Sequence, residues 1–206
     1  MNNQEFPFFE SIRLENGCFH LLDLHEQRIR RTQQQTYGQY SATNLKHYLS
    51  NFEHPATGLF KCRLRYGVAF DRPEFSSYHP KSVSSLQMVI ADELNYSLKY
   101  DDRSGIDFLF QQRDTCDDIL IIRNGFVTDT SYCNIVFFNG KEWLTPAFPL
   151  LEGVQRSFLI QLGIIRPVQI SHKDVAHFQS FKLINAMISW DSATERAISE
   201  IRFPID

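Results

Sequence analysis

Val127-Thr-Asp-Thr-Ser-Tyr-Cys-Asn-Ile135 is the stretch on which the fold turns. Its ends are apolar and its middle is polar. Asn124-Gly125 lies just before it and Asn139-Gly140 just after it. Both dipeptides tolerate the positive φ angles that two-residue hairpin turns require. Ile119 to Ile122, Val127 to Thr128 and Ile135 to Phe138 therefore read as short strands punctuated by hairpins. Taken alone, Asp129 in this polar segment reads as a turn or cap carboxylate.

Working outward toward the C-terminus, the pattern predicts a helix from Gly153 to about Leu162 and a strand near Ile164 to Ile170. Ser171 can cap a short helix, and Ala197 to Phe203 is the last strand expected. Toward the N-terminus, Phe8 to Leu14 and Cys18 to Leu22 form a hairpin about Glu15-Asn16-Gly17. Asp23 can cap a helix that begins near Leu24 and carries Arg28, Ile29 and Thr32, and Ser41 can cap a second from Asn44 to Phe52. Leu59 to Tyr66 alternates like a strand, with Leu59, Lys61, Arg63 and Arg65 opposed to Phe60, Cys62, Leu64 and Tyr66. Arg72 to Ser85 carries Pro73, Pro80 and five serines and reads as a loop and domain boundary, followed by a strand from Leu86 to Ile90. The expected class is α+β with mostly antiparallel pairing, in two lobes: a smaller one over 1–85 and a larger one over 86–206.

At 206 residues, with 43% hydrophobic and 22% charged residues and 18 phenylalanines, the chain has the composition of a folded domain with thick apolar cores. A net charge of −3 offers no footprint for nucleic acid, and the short basic run Arg28, Arg30, Arg31 reads as a solvated helix end. No stretch of 18 apolar residues exists and the N-terminus lacks an export pattern, so no membrane role and a cytoplasmic location are expected. The four cysteines show no CxxC spacing and the seven histidines no HExxH pattern. Neither disulfides nor a metal site is expected, and the thiols read as buried and structural.

The central stretch, Leu144-Thr-Pro146 and Leu151-Glu-Gly-Val-Gln-Arg156 together resemble the signature of class IV aminotransferases. That family of fold-type IV enzymes uses pyridoxal 5′-phosphate (PLP) and includes branched-chain and D-amino acid aminotransferases and 4-amino-4-deoxychorismate lyase. Phe9-Glu-Ser-Ile-Arg13 with Gly17 looks like its opening strand, His25-Glu-Gln-Arg28-Ile29 like its His-x-x-Arg-Leu helix, and Ile184-Asn-Ala-Met187 like its late phosphate-contacting turn. The resemblance spans roughly residues 8 to 190. It implies a two-lobed, D-amino acid aminotransferase-like fold, a small amino acid-like substrate and a homodimer. Most members carry a strand pair before the point matching Phe8-Phe9, so the N-terminal lobe is expected to be trimmed.

The resemblance also assigns roles. Lys99, 30 residues before Asp129, takes the place of the Schiff-base lysine; such an amine must be partly desolvated to attack an aldehyde. On local context alone Lys99 is a surface lysine beside Asp101 and Asp102. Asp129 stands where the family usually has Glu, paired with the pyridine nitrogen so that the ring acts as an electron sink. Arg28 would hold the phosphate with its guanidinium fork, and is otherwise one more helix arginine. The turn at Gly153-Val154-Gln155, which opens a helix, and the turn at Asn185-Ala186 would grip phosphate through backbone N–H groups. Their bland counterpart is an ordinary helix-start glycine; Gln155 replaces a frequent Thr.

Two reactions share this cofactor. One is elimination of pyruvate from 4-amino-4-deoxychorismate to give 4-aminobenzoate for folate synthesis; the other is transamination of branched-chain or D-amino acids. The Asn185-Ala186 turn resembles the lyase's. So does Arg103, four residues after Lys99, although it could equally be an i,i+4 helix partner. Ser11 falls where the lyase carries a hydroxyl residue, usually Thr, that assists proton delivery; otherwise it is a plain strand serine. The lyase is the expected reading, with a non-catalytic relative on the same scaffold as a third.

Overall fold

The computed structural model describes residues 6–203. Contacts divide the chain into two units, Met1–Pro80 with Leu98–Asp102, and Lys81–Ser97 with Arg103–Asp206. The sequence sets the boundary between residues 85 and 86 and leaves Lys99 in the larger lobe. The structure draws it after Pro80 and returns Leu98–Asp102 to the first unit. Backbone pairing is the reason: Phe9 N–H donates to Lys99 O at 3.0 Å and Asp101 N–H to Pro7 O at 2.8 Å.

In the first unit, β1 (Phe8–Glu15) turns Phe8, Glu10, Ile12 and Leu14 inward, the period of two that a half-buried strand requires. Asn16 and Gly17, at φ 48 and 77, fold it back onto β2, which spans only Cys18–Phe19. Leu22 joins the helix α1 (Leu22–Tyr37) instead of the strand, and Leu21, at φ 53, starts that helix in place of Asp23. The chain must reverse sharply there, and Leu21 O accepts the N–H groups of Leu24 and His25. The buried stripe of α1 comprises His25, Arg28, Ile29, Thr32 and Gln33, helical in spacing but mostly polar. The second helix, α2 (Leu45–Leu49), is capped by Asn44, which accepts from His47 N–H, while Ser41 closes a local turn onto Thr43 N–H. β3 (Leu59–Tyr66) pairs along all of β1 and buries Cys62, Leu64 and Tyr66. The stretch read as a loop contains β4 (Glu74–Ser77), antiparallel to β3. Its serines hide it in the sequence; backbone pairing and the half-buried Phe75 make it a strand. The order is β2-β1-β3-β4, with the inner face packed against α1 and α2.

The second unit begins with β5 (Leu86–Ile90) and α3 (Ser104–Phe110). β6 (Asp118–Arg123), β7 (Phe126–Thr130), β8 (Asn134–Phe138) and β9 (Trp143–Pro146) then run as an antiparallel meander. Asn124 and Gly125, at φ 50 and 82, make the β6–β7 turn as expected. α4 (Val154–Gln161), β10 (Ile165–Val168), β11 (Ser180–Ile184), β12 (Glu195–Ala197) and β13 (Ile201–Arg202) complete it. The expected final strand is split by a 3₁₀ turn, because its halves have different neighbours: β12 pairs antiparallel with β11, and β13 parallel with β5. A path β10-β9-β8-β7-β6-β5-β13 carries the sheet, with β11 also on β8. Ser171 caps a 3₁₀ segment over His172–His177, accepting from Lys173 N–H.

All four cysteines are free thiols. Cys62, Cys116 and Cys133 are buried, but Cys18 is exposed on the outer side of β2, so the expectation of buried thiols fails there. Burial pushes the Cys62 thiol up to about 12, which keeps it protonated and inert. Among the described residues no group of three or more His, Cys, Asp or Glu could hold a metal, and no helix is long and apolar enough to cross a membrane.

Candidate active site

Asp129 lies near the end of β7, inside the irregular stretch between Val127 and Thr130 where the β6–β7 ladder slips register opposite Leu120 and Ile122. Such a bulge re-aims the side chains within it. The Asp129 carboxylate is buried and accepts two hydrogen bonds, from Asn134 Nδ2 at 2.7 Å and from Leu151 N–H at 2.9 Å. Asn134 is its cross-strand partner and also donates to Leu151 O at 2.9 Å. The three groups lock one another in place. Burial pushes the Asp129 carboxyl up to about 6, against the opposing pull of the Leu151 amide, Asn134 and the Arg156 charge. A turn carboxylate at the surface would show neither the burial nor the shift. The group is built to accept a donor or to meet a cation.

Three residues beyond Asn134's partner Leu151, at Val154, the first turn of α4 begins. Val154 and Gln155 are both buried, and the opening N–H groups of a helix have no intrahelical acceptor. Gly153 precedes them because nothing larger fits: a Cβ there would stand 1.9 Å from Asn134 Oδ1. Arg156 is buried, donates from Nη2 to Pro146 O at 2.8 Å, and has no partner for its Nε. At the other turn, Asn185 accepts from Met187 N–H through Oδ1 at 2.8 Å and donates to Cys133 Sγ at 3.2 Å. Ala186 is half-buried within that turn. The second unit thus carries a buried acid, a buried helix start and a side-chain-braced turn. Arg103 precedes α3, so it is no helix partner of Lys99; its Nη2 donates to Ser131 O at 2.8 Å in the turn after Asp129.

The first unit carries Lys99, Ser11 and Arg28. Lys99 is half-buried, and its Nζ stands 4.6 Å from the centroid of the Phe9 ring. Arg63 lies over the same ring at 4.2 Å and forms an ion pair with Asp101. Ser11 follows Phe9 by two residues on β1, hence on the same side of the sheet, and lies opposite Arg63. Arg28 is on the other side, facing the core. Its guanidinium is engaged by Glu10, through Nε to Oε1 at 2.9 Å and through Nη2 to Oε2. His25 Nδ1 lies 2.7 Å from the same Oε2. Arg28 is therefore not the solvated helix arginine of the bland reading but half of a buried ion pair.

Sequence reasoning passed over Glu10 and His25 as site residues. The signal for Glu10 was present: a carboxylate at a core-facing position of an alternating strand needs a buried partner. His25 lies three residues before Arg28, on the same helical stripe.

The amino-transferase class IV family model matches residues 108–195. An uncharacterised protein of Haemophilus influenzae is 40% identical over 185 residues, covering 88% of this chain and 98% of its own. A solved structure of a candidate 4-amino-4-deoxychorismate lyase from Haemophilus somnus 129PT is 34% identical, with a TM-score of 0.83, over 88% of this chain and 96% of that one. A PLP-bound hypothetical aminotransferase from Mycobacterium tuberculosis shares the fold at 15% identity and a TM-score of 0.71, over 93% of this chain and 80% of that one.

Proposed function

The chain belongs to the class IV aminotransferase family of fold-type IV, PLP-dependent enzymes, and on that footing we propose that it is a lyase of the 4-amino-4-deoxychorismate type. It would release pyruvate and 4-aminobenzoate, the latter for folate synthesis in the cytoplasm, and would act as a homodimer on the family's pattern.

The observation that carries the cofactor assignment is Asp129: a buried carboxyl, fixed by Asn134 and Leu151 N–H and poised near 6, suits the protonated ring nitrogen of PLP. A protonated partner would favour the ionised form that burial disfavours. The shorter side chain does not preclude the role usually held by Glu, because the bulge in β7 and the Leu151 amide set its position. When bound, PLP supplies an electron sink for the carbon that bears the amine. Lys99 would hold the cofactor covalently, then take the proton from that carbon. Arg28, the N–H groups of Val154 and Gln155, and the Asn185-Ala186 turn would hold the phosphate.

Elimination over amino-group transfer is favoured by Ser11. Its hydroxyl shares a sheet face with Phe9, whose ring lies 4.6 Å from the Lys99 amine, and that placement supports a role for it as a proton carrier alongside Lys99. That hydroxyl would deliver a proton to the departing three-carbon fragment. The test is direct. Purified protein supplied with PLP should show a visible band that borohydride abolishes and that Lys99→Ala lacks. Supplied with aminodeoxychorismate, it should yield pyruvate and 4-aminobenzoate in equal amounts. Transfer of an amino group from alanine or a branched-chain donor to a keto acid, without aromatic product, would replace this reading by an aminotransferase. A colourless protein that takes up no PLP would leave a non-catalytic relative.

A further inference from the structure

The Glu10–His25–Arg28 cluster asks why a small core should contain a buried ion pair at all. Packed hydrophobic residues of equal volume often stabilise a fold as well or better, so such a pair is weak support for stability by itself. Glu10 and His25 are fully buried and Arg28 nearly so. Each Glu10 oxygen accepts from the Arg28 guanidinium, and Oε2 also faces His25 Nδ1. Arg28 is thereby confined to one rotamer before any ligand arrives. A free arginine side chain has rotamer entropy to lose on docking, and one already held does not.

We propose that Glu10 and His25 are positioning residues for Arg28, fixing its guanidinium so that the first unit meets a phosphate monoester with a planar donor already in place. The inference rests on the PLP reading above. It extends that reading to the part of the cofactor that distinguishes PLP from pyridoxal.

The charge balance of the cluster supports it. The Glu10 carboxyl is held down at about 2: burial opposes ionisation, but the Arg28 charge and the His25 hydrogen bond outweigh it. His25 is driven the other way, toward its neutral form, first by burial and also by the Arg28 and Lys99 charges. With Glu10 ionised, Arg28 cationic and His25 neutral, the cluster has no net charge. A phosphate bound there is selected by oriented donors, not by surplus positive charge. Geometry is then what the neighbours of Arg28 supply.

The experiment compares dissociation constants for PLP and for pyridoxal, read from the visible band, in the wild type, Glu10→Gln, His25→Leu and His25→Asn. Pyridoxal retains the aldehyde but lacks the phosphate. Glu10→Gln and His25→Leu should each shrink the preference for PLP over pyridoxal by about tenfold. His25→Asn, which retains an N–H donor near the Nδ1 position, should restore most of it. Should Glu10→Gln not fold, the two His25 variants decide the matter. An unchanged preference in folded variants, even with lowered Tm, overturns the inference and leaves the PLP reading standing. A wild type that takes up neither compound overturns both.

Discussion

Asp129 shows how much one buried carboxyl can dictate. Its carboxyl titrates near 6 in the folded protein and near 3.8 in the unfolded chain. Between these values the folded state keeps a proton that the unfolded state has lost, so this residue makes stability fall as pH rises from about 4 to 6. The full effect is on the order of 3 kcal/mol. Glu10 has the opposite sign: held down at about 2 from 4.5, it adds stability above its unfolded value that is lost as pH falls toward 2. Chemical denaturation of cofactor-free protein should therefore show the stability of Asp129→Asn gaining on the wild type between pH 4 and 6, then holding a constant offset. A flat difference across that window would mean that Asp129 is solvated. In the loaded enzyme, Asp129→Ala should retain the visible band yet lose about 10²-fold or more in kcat, since the electron sink weakens while the covalent anchor stays. Full turnover in that variant would reduce Asp129 to a turn residue.

Among the elements, the β7–β8 turn and the start of α4 form one interlocked piece. Asn134 bridges β8 to Asp129 and to Leu151, and Gly153 leaves room for the Asn134 carbonyl. Gly153→Ala should displace Asn134, break both of its bonds and lower stability by about 2–4 kcal/mol. For a chain of this length that is a fall in Tm of roughly 5–15 °C, measurable by calorimetry. PLP affinity should fall with it. The strands of this piece are legible because turn dipeptides and apolar runs report local backbone preferences. β4 is not, because Glu74-Phe-Ser-Ser77 has little strand character and owes its state to β3. The split of β12 from β13 is likewise decided by which neighbour each half meets.

For the whole molecule, the homodimer proposed from family resemblance has a simple consequence. Light scattering coupled to gel filtration should return twice the chain mass, independent of loading concentration across the micromolar range. A single-chain mass at those concentrations would overturn the homodimer proposal. Phe108 and Phe148, 71% and 72% exposed in the second unit, are the aromatic side chains that a partner would be expected to cover. Hydrogen exchange on either side of dimer dissociation would show whether the segments around them are protected.

By itself the sequence determined β1, β3 and β5, the strands β6 to β8 with the turn between β6 and β7, and the helix α4, while α3, β4, β9 and β11 went unread; resemblance to the family also picked out Lys99, Asp129, Gly153 and the Asn185 turn. Those features depend on spacing and on residues whose backbone preferences are local. Only the tertiary structure decided what surrounds them. Arg28 became half of a buried pair because β1 aims Glu10 into the core, and His25 joined it because α1 places both on one stripe. Lys99 joined the first unit because its backbone pairs with β1. Asp129, indistinguishable in sequence from a turn carboxylate, acquired its shifted titration from burial against Asn134 and Leu151. Desolvation and partner geometry belong to contacts made between distant parts of the chain, and spacing along the sequence does not encode them.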